Sequence, residues 1–307
     1  MKNKLLIVLV VIIVMTSAVL ISCSKTSTSA ETTAVAAAKT TASAETTKAS
    51  SSTEKIDMSN VKTLKSGVLT VGSDCTWQPM EFIEGDTIVG FDVDLTKAIT
   101  EKLGLKLDYQ NTAWDGMFPA VAAHKFDMII SSITIYDDRK KEMDFSYPYL
   151  PINQSVTVKK DSGIDSAEKM NGKKAGVQIG TTGEIEAKKI TDVTVKTYDD
   201  IIMAFEDLRA GRVDAIICDT PVANAYALKN ADFKVAYTII TNEFYGIGYA
   251  KDTPELVKVV NEALKAIKDD GTYDKIFTSW FGEKALKSFK DDGAYDKMFA
   301  TWSSAEK

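Results

Sequence analysis

FDMIISSITIYDDRKKEMDFS, Phe126 to Ser146, holds an apolar run, Met128-Ile129-Ile130, of the kind that forms a buried strand. Such strands ordinarily close on a turn of Gly, Pro or Asn. This one closes on Ser131 and Ser132, alternates once more through Thr134, and reaches Arg139 inside a charged cluster. Hydroxyls and a guanidinium at the end of a buried strand indicate that something polar is held there.

The surrounding chain repeats the arrangement. GVLTVGSD predicts a strand over Val68, Leu69 and Val71 that runs out at Asp74. In GFDVDLTKAITEKLG, Leu95, Ala98, Ile99 and Leu103 recur at helical spacing and Gly104 stands as a C-terminal cap. LKLDYQ predicts a second strand and DGMFPAVAAHK a helix, which leads into the opening stretch. After Tyr149 the theme restarts. KKAGVQIGTTGEIEAKK reads as strand, turn and helix, and YDDIIMAFEDLRAGRVDAIICDTP as an amphipathic helix running into the strand Val213 to Ile217. Alternating strands and helices predict parallel, helix-covered sheets, and two such units predict two lobes. Ligands of open α/β sheets bind beyond the carboxyl ends of the strands. There the unexpected polar residues collect: Asp74, Ser131, Ser132, Thr181 and Thr182 after Gln178, and Asp219.

A length of 307 residues, 45% hydrophobic and 26% charged, suits one large or two medium globular domains. A net charge of -6 argues against nucleic acid as a partner. The single histidine, His124, and the lack of any Cys/His cluster argue against zinc and against His-based general base chemistry, and no cofactor is expected. Cys75 and Cys218 read as free, small hydrophobic residues.

The N-terminus has Lys2 and Lys4 before an apolar run from Leu5 to Ile21 that ends in Leu20-Ile21-Ser22-Cys23. A positive start, an apolar core and small residues at the cut describe an export signal. The ending resembles a bacterial lipobox, which implies cleavage before Cys23 and attachment of diacylglycerol to it. An uncleaved membrane anchor is the alternative. Ser24 to about Thr53 is almost only Ser, Thr, Ala, Lys and Glu, and is expected to be a disordered tether. At the other end, EALKAIKDDGTYDKIFTSW (Glu262–Trp280) recurs as KALKSFKDDGAYDKMFATW (Lys284–Trp302), read as a duplication of the last helix. The second copy either caps another surface, exchanges with its twin or frays.

A zwitterion would find complementary groups at the strand ends. Arg139 and the helix start at Thr181-Thr182 suit a carboxylate, and Asp219 with Ser132 suits an ammonium. Taken alone, an arginine in DDRKK reads as a solvated surface group, GTTG as a capped turn, and Trp77 and Trp114 as core. Their coincidence at strand ends of both halves is what favours a site.

GVLTVGSDCTWQPMEF, GFDVDL, AWDGMFPAV, DMIISSITIYDDRKKEMDFSYPY, GVQIGTTGE, DAIICDTPVA and DDGTYDKIFTSWFG together resemble the polar amino-acid branch of the extracellular solute-binding proteins of ABC transporters, in order from Lys65 to Gly282. The resemblance implies an α/β protein with two Rossmann-like lobes joined by two hinge strands, the type II periplasmic binding protein fold. It implies that Arg139 grips the ligand α-carboxylate with Thr134 and Thr182 beside it, and that Asp219 takes the α-ammonium with help from Ser132. Trp77 and Trp114 would sandwich the side chain and Asp74 would face it. Thr181 at the helix start and Gln178, at a position where relatives vary, complete the expected ligand-binding set. The expected organisation is a signal peptide at 1–22, a tether at 23–60, lobe 1 at 61–150 with a return at 244–283, lobe 2 at 151–243 and an extension at 284–307.

The expected function is a monomeric, lipid-anchored receptor in the cell envelope, in the periplasm or on the outer face of the cytoplasmic membrane. It would pass a polar L-amino acid to an ABC transporter permease. Asp74 between two tryptophans favours arginine or lysine, then glutamine. The alternatives are an enzyme resembling cyclohexadienyl dehydratase, with Asp74 as the general acid, and an amino-acid-sensing lipoprotein.

Overall fold

The structure, a computed structural model, describes residues 55–304. The expected export signal, the lipidation site Cys23 and the tether up to residue 54 lie outside the described residues.

In chain order the first half contains β1 (Val68–Ser73), β2 (Thr76–Trp77), β3 (Glu81–Glu84), β4 (Thr87–Val89), α1 (Phe91–Leu103), β5 (Lys106–Asn111), α2 (Trp114–Ala122), β6 (Met128–Ile129), α3 (Asp137–Glu142) and β7 (Asp144–Phe145). The second half contains β8 (Leu150–Lys159), β9 (Lys174–Gln178), α4 (Thr182–Lys189), β10 (Thr194–Tyr198), α5 (Ile201–Arg209), β11 (Ala215–Asp219), α6 (Thr220–Lys229) and β12 (Phe233–Tyr245). The chain then returns through β13 (Gly248–Tyr249), α7 (Pro254–Asp269), α8 (Thr272–Phe281), α9 (Glu283–Asp291) and α10 (Ala294–Ser304).

Two five-stranded sheets result, in the orders β5-β1-β6-β13-β7 and β10-β9-β11-β8-β12. The sequence predicts parallel sheets, and here the structure differs. β1 runs parallel to β5 and β6, and β9 to β10 and β11, whereas β13 and β8 are antiparallel to their neighbours. Each mixed sheet follows from the path of the chain. A strand that arrives from the other lobe enters from the opposite end, so it pairs antiparallel to those already there. β8 and β12 pair antiparallel from Tyr245 opposite Leu150 to Phe233 opposite Lys159, with register shifts on the way. A small sheet, β2-β3-β4, is a further element that the sequence reading did not anticipate.

The helices cover the sheets through one apolar face each. α1 buries Phe91, Leu95, Ile99 and Leu103, and ends at Gly104 in the left-handed conformation. It begins at Gly90, φ 143°, where any Cβ would fall 2.0 Å from the Met80 carbonyl oxygen. Only glycine fits that approach. α7 buries Leu256, Val259, Val260, Ala263, Leu264 and Ile267 at helical spacing. Burying one such Leu or Ile side chain contributes about 1.5–3 kcal/mol. Cys75 and Cys218 are buried and free.

The C-terminal duplication is larger than one helix. The first copy spans the end of α7, the Asp-Asp-Gly turn and α8, and the second spans α9, the same turn and α10. Both turn glycines have positive φ, 77° at Gly271 and 73° at Gly293. The second copy packs against the first and onto a new surface. Phe289 stacks on Phe277, and Phe299 meets Tyr273 edge-on, each at 5.3 Å between ring centroids. The equivalent tryptophans take different partners: the Trp280 indole N–H donates to Asp94 and that of Trp302 to the Pro148 carbonyl, both at 2.9 Å. Trp302 also stacks on Tyr147, just before β8. Of the three outcomes the sequence left open, capping another surface is the one observed.

Candidate functional site

Arg139 lies in the short α3 between exposed lysines, yet it is buried, with 7% of its surface accessible. Its guanidinium carbon sits 4.8 Å from the ring centroid of Tyr136, 5.2 Å from Trp114 and 5.3 Å from Phe118. One terminal nitrogen donates to the Thr134 carbonyl and the other to the Gly180 carbonyl of the opposite lobe, each at 3.0 Å. Burial lowers its pKa, while Asp219 and Glu243 favour the charged form. The bland reading of DDRKK therefore does not hold for its arginine. Three aromatic rings cover the cation, and the lysines beside it remain in solvent.

Asp219 ends β11 and is 3% exposed. Its Oδ1 accepts from Gln154 Nε2 at 2.5 Å and its Oδ2 from the Tyr245 hydroxyl at 2.5 Å. Burial pushes its pKa up to about 7, and Glu243 adds to the rise. Gln154, in β8, gives the same nitrogen to Thr182 Oγ1 and to Glu243 Oε2, both at 3.0 Å. The Thr182 and Thr134 hydroxyls face each other at 3.3 Å. Arg139 and Asp219 are thus linked across the lobes through Thr134, Thr182 and Gln154.

A second chain of contacts closes the opposite end. Gln178 accepts from the Trp77 indole N–H at 2.6 Å, and its Nε2 donates to Asp74 Oδ2 at 2.7 Å. Burial raises the Asp74 pKa to about 6, against the opposing hydrogen bonds from Gln178 and Thr76. The rings of Trp77 and Trp114 stand 6.3 Å apart with 30° between their planes.

Two expected residues have other neighbours. Thr181 caps α4, accepting from the Glu184 N–H and donating to the Gln178 carbonyl. Ser132, at φ 50°, donates its N–H to Asp92 Oδ2 at 3.0 Å, and its hydroxyl lies 3.4 Å from Glu81 Oε2. Glu81 and Asp92 form a fully buried acid pair. Burial raises both pKa values, that of Asp92 to about 6; Asp92 raises Glu81 further, whereas the hydrogen bond from Glu81 acts to lower Asp92. Ser131 joins this pair to the site, because its hydroxyl donates to Glu81 and accepts the Asp74 N–H, each at 2.9 Å.

Sequence reasoning missed Gln154, Glu243, Tyr245, Glu81 and Asp92. Gln154 carried a signal, a fully polar side chain inside the strand LPINQSVTVK, whereas Glu243 in TNEFYG reads as an ordinary loop charge. A cleft of about 770 Å³ opens beside the guanidinium, with Trp114, Phe118, Tyr136, Arg139 and Gly180 in its lining. Neither Asp74 nor Asp219 lines it. Among the described residues no group of His, Cys, Asp and Glu is arranged to hold a metal ion, and no helix is long and apolar enough to cross a membrane.

Two α/β lobes linked by paired crossover strands, with polar side chains meeting between them, define a type II periplasmic binding protein fold. The comparisons agree. Residues 69–283 match the bacterial extracellular solute-binding proteins, family 3, and the chain belongs to that family. The L-cystine-binding protein TcyJ of Escherichia coli (strain K12) is 34% identical over 227 residues, covering 72% of this chain and 85% of that protein. The ABC transporter arginine-binding protein 1 of the same strain is 35% identical over 223 residues, covering 69% and 90%. A solved structure of an ancestral arginine-binding protein bound to glutamine superposes with a TM-score of 0.69 at 43% identity, covering 71% of this chain and all of that one.

Proposed function

We propose that the protein captures a polar L-amino acid with a cationic side chain, arginine or lysine ahead of glutamine, between its lobes and hands it to an ABC transporter permease while tethered through acylated Cys23. The observation that carries this reading is the pairing of Arg139 and Asp219, oppositely charged, both buried, and contributed by the two lobes to one hydrogen-bonded network. In this reading Arg139 and the backbone N–H groups at the start of α4 take the α-carboxylate, and Asp219 takes the α-ammonium.

Trp77 and Trp114 are the side-chain walls. Stacking on both faces of a planar group needs about 7 Å at roughly 3.5 Å per contact, against the 6.3 Å between the rings. A guanidinium would part them only slightly. Asp74 then accepts from the end of the side chain in place of Gln178. Contacts to both lobes stabilise the closed form, which couples capture to closure. The names of the relatives support an amino acid as ligand and span cystine, arginine and glutamine.

A thermal-shift screen of the twenty amino acids, followed by calorimetric titration of the hits, tests the reading. Arginine or lysine should give the largest shift. The absence of any shift would overturn it. The raised pKa of Asp74 also suits a general acid, which keeps a dehydratase in view. Formation of product from arogenate or prephenate would establish that enzyme in place of the receptor.

A further inference from the structure

Glu243 lies on β12 where its pairing with β8 slips. Ile239 stands opposite Gln154 and Glu243 opposite Ile152, so four residues of β12 span two of β8. The surplus is taken up around Asn242, φ 54°, with the Thr241 and Asn242 N–H groups both donating to Asn153 Oδ1. This bulge re-aims the strand as bulges do. It brings the Glu243 carboxylate against Gln154 Nε2 at 3.0 Å and Thr182 Oγ1 at 3.1 Å.

Both partners are neutral. The Glu243 and Asp219 oxygens share one amide nitrogen, at 3.0 and 2.5 Å, and so lie within about 5.5 Å of each other. With Asp74 they make three carboxylates around the site against one guanidinium, Arg139. A plain zwitterion needs only one acid and one base. The extra negative charge at the hinge makes no hydrogen bond that a neutral amide of the same shape could not make.

We infer that Glu243 is a specificity-determining residue, which biases the site toward amino acids of net positive charge through its field and not through a required contact. The inference rests on the amino-acid reading above. Burial raises the Glu243 pKa, while the hydrogen bonds from Gln154 and Thr182 and the charge of Arg139 favour the ionised form. In the proposed pose the side-chain cation lies toward Asp74, at the other end of the site from Glu243. At a separation of about 10 Å and an effective dielectric of about 20, a unit charge there changes affinity by about tenfold.

The test is calorimetric titration of L-arginine and L-citrulline, which share a shape and differ in side-chain charge, against wild type, Glu243→Gln and Glu243→Asp. Glutamine keeps an acceptor oxygen for Thr182 and Gln154, so a structural role survives the change and the charge does not. The arginine-to-citrulline affinity ratio should fall about tenfold in Glu243→Gln and recover in Glu243→Asp. Equal losses for both ligands, or an unchanged ratio, would overturn the inference alone. Wild-type protein that binds neither ligand would overturn the reading of the site, and the inference with it.

Discussion

Arg139 donates to the carbonyl of Gly180 across the gap between the lobes, at 3.0 Å, with its guanidinium covered by aromatic rings on its own side. The cation therefore already joins the two lobes through a neutral acceptor. A carboxylate presented there would replace a neutral hydrogen bond by a charge-assisted one. Arg139→Ala should leave the fold intact and weaken amino-acid binding by about 2–5 kcal/mol, since a buried carboxylate would lose its partner. Calorimetry combined with circular dichroism checks this, and wild-type affinity in the variant would remove Arg139 from the site.

Asp219 is expected to set the pH dependence of binding. Its folded-state pKa of about 7 stands above the roughly 3.9 of an unfolded aspartate. Between those values the folded, ligand-free protein binds more protons than the unfolded chain. This group's contribution to stability therefore rises as pH falls from about 7 to about 4. An ammonium ligand favours the ionised carboxylate, so binding releases a proton near neutral pH and weakens as pH drops below about 7. Asp74, raised to about 6, acts in the same direction for a cationic side chain. Titrations in two buffers of different ionisation enthalpy would count the proton, and binding that tightened toward pH 5 would contradict the assignment.

The buried pair behind the site is expected to hold one proton on Glu81. Glu81→Gln copies the protonated acid, offering an oxygen to Ser131 and an N–H to Asp92. It should keep stability to within about 1 kcal/mol at pH 7, while Glu81→Ala, which strips the partners of buried groups, should cost about 3 kcal/mol or more. Urea denaturation of both variants distinguishes a neutral from an ionised Glu81.

Gly183 lets α4 approach β11. A Cβ there would meet the Ile217 carbonyl oxygen at 2.7 Å and Gln154 Oε1 at 3.2 Å. Gly183→Ala must push the first turn of the helix outward, so it should cost about 1–3 kcal/mol of stability and reduce ligand affinity as Thr182 moves with it. Unchanged values in both measurements would show that the turn accommodates the methyl group.

The second copy of the C-terminal repeat is held by burial of Met298, Phe299 and Trp302. Trp302→Ala should lower unfolding stability by about 3 kcal/mol. An unshifted urea midpoint would mean that the extension adds nothing to the fold.

The two-lobed organisation was legible because a strand and its following helix leave local marks: apolar runs, helical spacing, and turn residues such as Gly104. The polar strand ends were legible for the same reason, and the structure brings Arg139, Asp219, Thr134 and Thr182 into one network and Asp74, Trp77 and Gln178 into another. Strand direction was not legible, because whether β13 runs with or against β6 depends on which lobe the chain is returning from. Glu243 was hidden for a similar reason. Its inward aim comes from a register slip against a strand about ninety positions earlier, and no local pattern encodes a slip between distant partners.

The Gln178 amide nitrogen already donates to Asp74, the contact proposed for a guest's side chain, while its oxygen takes the Trp77 indole N–H. An incoming amino acid must therefore outcompete a resident imitation. A long donor side chain exchanges one hydrogen bond for another and adds its charge, whereas alanine or glycine leaves the resident amide in place and gains nothing at that end. On the proposed amino-acid reading, discrimination by side-chain length would come from internal rivalry and would need no wall to exclude short ligands.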